Sequence, residues 1–256
     1  MRTPWFFVKC FVVALAPVPA SAGSPDTAIS GRPPAADILG RMERTINGFQ
    51  DQSMDVRFTI VDVDGTRKAY DFTIQQKGSE KRMIRFNSGE LKGMATLVED
   101  RNRVYVYLPG FKKVRRVAAH NMNQTFAGSD FTTDDMASAS WTDLYDAQIQ
   151  REEPDRWVLL CTPKPDAKAP YGKAIVEVDR HSFQQLRVEY YDEHGTKLKV
   201  MESRDSKSYH GVDRSSRVTL TDSRTGHRTE LEVMDFRVNL GLPDSLFTER
   251  ELEWAK

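Results

Sequence analysis

Residues 107–136 read YLPGFKKVRRVAAHNMNQTFAGSDFTTDDM. Directly before the basic run, RVYVYL at 103–108 alternates Val104, Val106 and Leu108 with Tyr105 and Tyr107, the two-residue period of a strand. Four of the five residues from Lys112 to Arg116 are basic, and a Gly-Ser-Asp-Phe turn at 128–131 then leads into an acidic helix start. Thr132 or Thr133 can cap that helix. Asp134 and Asp135 fall in its first turn, where carboxylates suit the positive end of the helix dipole, so they read as caps rather than metal ligands. The basic run has two readings. It is either a solvated sheet edge, where Lys and Arg discourage edge-to-edge pairing, or a basic rim that meets an anionic lipid headgroup or an acidic partner.

Outward from this stretch the period of two continues in both directions. On the N-terminal side it runs through MDVRFTI (54–60), YDFTI (70–74), RMIRF (82–86) and MATLV (94–98). Asp64-Gly65 supplies a hairpin turn between the first two. On the C-terminal side come AQIQRE (147–152), RWVLLCT (156–162), KAIVEVD (173–179), QLRVEYYD (185–192), KLKVMES (197–203), SRVTLTD (216–222) and TELEVMDFRV (229–238). Turn signals separate them at Glu153-Pro154-Asp155, Glu193-His194-Gly195 and Thr225-Gly226. Short strands at this spacing, without helical crossovers, predict one large antiparallel sheet. The helices are few. PAADILGRMERTI (34–46) carries Ile38, Leu39, Met42 and Ile46 at helical spacing with Gly48 past its end, and a short helix is expected in PDSLFTERELEW (243–254).

The first 22 residues have a charged start with Arg2 and Lys9, an apolar centre from Cys10 to Val18, and Ala20-Ser21-Ala22. That is the layout of a cleaved secretory signal. The domain reading is a signal peptide at 1–22, a disordered leader rich in Pro, Ser, Gly and Ala at 23–33, and a single domain over 34–256. Cleavage would leave Cys161 as the remaining cysteine, read as a buried small hydrophobe in the WVLLCTP strand. The expected compartment is the periplasm. The whole chain has 37 basic and 37 acidic residues, and the signal removes two basic ones, giving a mature balance of −2. Nucleic-acid binding calls for a net basic domain, so that class is set aside.

Catalytic patterns are sparse. The five histidines (His120, His181, His194, His210, His227) show no helical metal-ligand spacing. Ser129 lies in AGSDF, which is not the G-x-S-x-G of a nucleophile elbow. His120 and Asp130 share its loop, but their spacing fits a local turn network better than a triad. No cofactor and no metal is expected, and the residues describe a binding protein rather than an enzyme. A wide sheet with an apolar face must cover that face or place a ligand on it. Few helices leave room for an apolar concavity, although a filled sandwich core would give the same pattern.

The ordered set ELKGMATLVEDRNRVYVY, YLPGFKKVRRV and FAGSDFTTDDM resembles the outer-membrane lipoprotein-sorting family of LolA and LolB, over about Arg82 to Asp135. The chain is longer than the LolA carrier and lacks the lipidated cysteine of LolB. It is similar to the longer periplasmic branch associated with RND-type exporters. The resemblance implies a mainly β fold with a few helices: an open, strongly curved antiparallel half-barrel with a helical lid over an apolar cavity. In that frame Pro109-Gly110 is a turn, and Lys112, Lys113, Arg115 and Arg116 form the exposed side of the next strand as a partner or headgroup rim. Phe126 and Phe131 would pin the lid.

Strand alternation then nominates Phe58, Phe72, Ile84, Phe86, Leu97, Val106, Leu186, Val188, Leu198 and Val200 as cavity-lining residues. It does not fix which sheet face is concave. The implied function is a non-covalent carrier of acyl chains, from lipoproteins or other lipids, towards the outer membrane. The implied partners are those lipids, transient membrane contact, an RND-type inner-membrane exporter and an outer-membrane acceptor. The alternatives are a periplasmic accessory subunit of such an exporter that binds no lipid, and a small hydrolase.

Overall fold

The computed structural model describes residues 32–137 and 140–253. The expected signal peptide lies outside the described residues, as does the expected leader up to residue 31.

A helix, α1 (Ala35–Asn47), precedes six strands: β1 (Asp51–Val61), β2 (Arg67–Lys77), β3 (Lys81–Phe86), β4 (Ala95–Asp100), β5 (Arg103–Leu108) and β6 (Lys113–Arg116). Two short helices, α2 (Thr133–Ala137) and α3 (Trp141–Leu144), lie in the connection to the second strand series. That series is β7 (Tyr145–Glu152), β8 (Arg156–Pro163), β9 (Lys173–Asp179), β10 (Gln185–Tyr191), β11 (Lys197–Tyr209), β12 (Val212–Asp222) and β13 (Arg228–Val238). A final short helix is α4 (Glu249–Glu253).

All thirteen strands form one antiparallel sheet in the order β6-β5-β4-β3-β2-β1-β13-β12-β11-β10-β9-β8-β7. Two meanders are thus zipped together where β1 pairs with β13, from Gln52↔Val238 to Val61↔Arg228. The sheet is not closed. Its free edges are β6 and β7, which follow one another in the chain, so the segment between them must travel from edge to edge.

The turns behave as their residues dictate. At the β1–β2 hairpin Gly65 has φ +86, and its N–H donates to Asp62 O. That left-handed conformation costs a glycine least. Gly48 is needed for a different reason. Its φ is −75, but a Cβ there would stand 2.4 Å from Arg44 O.

Alternation sorts the strands into two faces. On the inner face, Ile38, Leu39 and Met42 of α1 pack on Leu159, Cys161, Ala174, Val176, Val178 and Val188 of β8–β10. The other half of that face holds Val56, Phe58, Ile60, Tyr70, Phe72, Ile84 and Phe86, covered by Phe126 and Phe131 of the β6–β7 connection. The outer face of β3–β6 is apolar too. Met83, Ala95, Leu97, Tyr105, Tyr107 and Val114 lie there under Leu242, Leu246, Phe247 and Leu252 of the C-terminal segment. No helix among the described residues is long and apolar enough to cross a membrane.

Candidate functional site

Between the two inner clusters a cavity of about 310 Å³ remains. This is at the small end of the range for small-molecule sites, roughly 300–1,000 Å³. Its apolar wall comes from Met54 (β1), Ile74 (β2), Ile84 (β3), Met201 (β11), Val218 (β12) and Leu231 and Val233 (β13). The connection between the sheet edges roofs it with Phe131, Met136, Trp141 and Leu144. Strands β3 and β10 are separated by five others in the sheet, yet Ile84 and Tyr190 line the same cavity. The sheet therefore curls around it.

An aromatic ladder closes the cavity on the β1–β3 side. Phe58 and Phe72 meet edge-on at 5.3 Å, Phe72 and Phe86 lie 5.1 Å apart, and Phe86 reaches Phe126 at 5.9 Å. Phe131 sits 6.0 Å from Phe58. Such aromatic pairs contribute about 0.5–1.5 kcal/mol each beyond their buried area, which holds the roof down without covalent links.

Polar side chains fasten the roof to the sheet at one end. Lys199 Nζ donates to Asp135 Oδ2 at 2.5 Å and to Asp130 O at 3.1 Å. Tyr171 Oη donates to Asp135 Oδ1 at 2.7 Å. Burial raises the phenols of Tyr171 and Tyr190 far above the usual range, with the Asp135 carboxylate adding to the effect. Asp130 is held by Thr229, whose hydroxyl donates to its Oδ2 at 2.7 Å, and its Oδ1 lies 2.8 Å from His227 Nδ1. At the α1 side, Glu43 Oε2 accepts from both the N–H and the hydroxyl of Thr142, tying α1 to α3.

Two arginines line the cavity as well. Arg82 Nε donates to Gln76 Oε1 at 2.9 Å, and its Nη1 donates to Met136 O in the roof. Arg214 lies over the Phe236 ring at 4.1 Å, and its Nε is buried without a hydrogen-bond partner. Burial pushes both guanidiniums down to about 10. They remain cations at neutral pH.

The fold has solved counterparts. A domain designated as an outer membrane lipoprotein-sorting protein, from Vibrio parahaemolyticus, is 22% identical with a TM-score of 0.76, covering 86% of this chain and 98% of that one. A DUF1329 family protein from Desulfovibrio piger is 23% identical with a TM-score of 0.79, covering 85% and 97%. A LolA superfamily protein from Nitrosomonas europaea is 22% identical with a TM-score of 0.74, covering 86% and 100%. No curated protein matches the sequence. A family model described as "uncharacterized protein"-like matches residues 78–254, well over half of the chain. The chain belongs to this family, and its fold is LolA-like.

The LolA-like sheet places the residues nominated from sequence in four different settings. Ile84 lines the cavity, as does Phe131 of the roof. Phe58, Phe72, Phe86, Val188 and Phe126 face inward but are packed as closed core beside the cavity. Val106 pairs with Thr96, which pairs with Ile84, so it shares the inner face but lies outside the cavity wall. The remaining four are corrections. Leu97 lies on the outer face under Phe247 and Leu252. Val200 alternates with Lys199 and Met201, both of which line the cavity, so it points the other way. Leu186 is the extra residue of a bulge, because Gln185 pairs with Val178 while Arg187 already pairs with Glu177. Leu198 is the extra residue of a second bulge, between the pairs Tyr190↔Lys199 and Tyr191↔Lys197, and packs against the inner cluster without lining the cavity.

The basic run occupies the edge strand β6 and the turn before it. Lys112, Lys113, Arg115 and Arg116 are exposed, and among the described residues none makes an ion pair closer than 4 Å. Phe111, at the tip of the same hairpin, is 68% exposed.

The loop that held Ser129, His120 and Asp130 is a turn network. Ser129 Oγ donates to Phe126 O at 2.6 Å and accepts from Phe131 N at 3.2 Å. The Asp130 carboxylate is taken by Thr229 and His227 instead of His120. Sequence reasoning passed over Arg82, Lys199, Arg214 and Tyr171 and read Asp135 as a helix cap alone, since a search for apolar strand faces discards polar and charged positions. The usable signal was an inward parity: Arg82 shares the parity of Ile84, and Lys199 that of Met201.

Proposed function

We propose that this protein is a periplasmic carrier that holds the acyl chain of a lipoprotein or another lipid in its roofed cavity. It would deliver that chain towards the outer membrane with no covalent step. The observation that carries this reading is the cavity itself: a largely apolar space between two packed halves of one sheet, roofed by a segment whose two ends are the sheet's free edges. The LolA superfamily fold is in keeping with a lipoprotein-sorting or lipid-carrier role. Transfer from water contributes about 0.8 kcal/mol per methylene, so a dozen methylenes supply on the order of 10 kcal/mol. That retains a lipid in water and still allows release to a comparable apolar site.

A second reading is favoured by the unpaired basic β6 edge and exposed Phe111. On it, the protein would be an accessory subunit that docks on an RND-type exporter through that edge and carries no lipid. Titration with an uncharged fluorescent apolar probe separates the two. The carrier reading predicts saturable one-site binding that falls at least tenfold in Met201→Asp, whose fold is retained because Met201 is half-buried at the cavity wall. Absence of saturable binding by the wild type would leave the docking reading.

A further inference from the structure

The cavity is apolar in the middle but carries an unbalanced positive charge at one end. Its carboxylates are Asp135 and Asp213. Asp135 is occupied by Lys199 and Tyr171, and Asp213 is exposed and makes no ion pair among the described residues. Among the described residues neither Arg82 nor Arg214 meets a carboxylate. The acceptors of Arg82 among the described residues are neutral, and the Nε of Arg214 is buried without a hydrogen-bond partner among them. Both belong to the same end of the sheet. Arg82 pairs across with Gln76, Gln76 with Gln52 and Gln52 with Val238, while Phe236, beneath Arg214, pairs with Met54. Lys199 and Tyr171 are satisfied at Asp135, the residue before the Met136 whose carbonyl Arg82 holds.

Leaving a guanidinium in an apolar wall without a counter-charge is costly, and burial has drawn both groups well below their ordinary range. Folded chains retain such groups where something else supplies the anion. The planar fork of an arginine matches a carboxylate or a phosphate with two parallel hydrogen bonds.

We propose that the cavity takes an anionic amphiphile, with its carboxylate or phosphate on the guanidinium of Arg214 and its chain along Met54, Ile74, Ile84 and Leu231. Arg82 supplies a second positive charge from the far side of β1. This assignment rests on the carrier reading and narrows it: the ligand is a single-chain fatty acid or lysophospholipid-like anion in preference to an uncharged lipid of equal chain length.

The test compares oleate with oleyl alcohol as displacers of the uncharged probe at pH 8. The wild type is expected to bind oleate at least tenfold more tightly than oleyl alcohol. Arg214→Gln is expected to lower that ratio about tenfold, and Arg214→Lys, which keeps the charge, to preserve most of it. Equal affinity of the wild type for the two ligands would overturn the proposal. So would a glutamine variant that folds and weakens both ligands equally. Inorganic phosphate and dodecyl phosphate form a second arm. Displacement of oleate by phosphate alone as effectively as by dodecyl phosphate would assign the site to a free anion and overturn the amphiphile. A wild type that binds neither probe nor oleyl alcohol would instead sink the carrier reading beneath it.

Discussion

Cys161 illustrates how single residues follow their surroundings. It lies on β8, fully buried among Ala174, Val176 and the α1 side chains, and burial pushes its thiol from 9.0 up to about 12. The folded state therefore keeps the proton while the unfolded chain gives it up. Its contribution to stability is complete below pH 9 and is lost as pH rises from about 9 to 12. Chemical-denaturation midpoints should fall over that window, and less steeply in Cys161→Ala. A flat profile for the wild type would contradict the burial of the thiol. Native protein at pH 8 should also resist thiol reagents until it is unfolded.

At the same scale, sequence showed which residues alternate but not which face they serve. Phe72 and Ile84 sit on one inner face, yet one is solid core and the other cavity wall. The difference is where the roof touches down, which is a property of a distant segment. Leu186 and Leu198 failed for a sharper reason. One extra residue in a strand flips every later side chain, and the bulges that do this carry no distinctive local sequence.

Among the elements, the β6–β7 connection does the most. It joins the two free edges of the sheet, and one of its fastenings is Asp130, which the Thr229 hydroxyl and His227 hold on β13 and in the turn before it. Asp130→Ala should cost about 1–3 kcal/mol, the usual consequence of leaving buried donors unmet. Hydrogen exchange should accelerate across 126–137 while β1 and β13 keep their protection. Uniform acceleration throughout the sheet would show that the roof is not a separable element. The helix start at Thr132–Asp135 was legible from its caps: Thr132 Oγ1 accepts from Asp135 N at 3.1 Å. That Asp135 would also hold Lys199 and Tyr171 was not, because those partners lie 64 and 36 residues away.

For the molecule as a whole, twelve of the thirteen antiparallel strands were readable because period-two runs and turn residues mark them locally, while β6 rested on the sheet-edge reading of its basic run and on the family resemblance. The two-faced burial of β3–β5 was hidden. MATLV and RVYVYL are apolar on both parities, which signals a strand covered on both sides, but nothing in them names the C-terminal segment as the cover. Leu252, fully buried on that outer face, is the point of attachment. Leu252→Asp should cost roughly 3–5 kcal/mol, as large core deletions do. By exposing the outer apolar face it should also drive self-association, visible by light scattering. A variant that stays monomeric at wild-type stability would refute the covering role.

The central claim is that the roofed cavity holds a lipid chain, and native mass spectrometry of protein isolated without detergent from its producing cells tests it most directly. The account predicts discrete adducts with the mass of an acyl-bearing anion on the wild type, and their depletion in Met201→Asp and Arg214→Gln. Bare protein mass alone for the wild type, or adducts equally abundant on all three proteins, would contradict it.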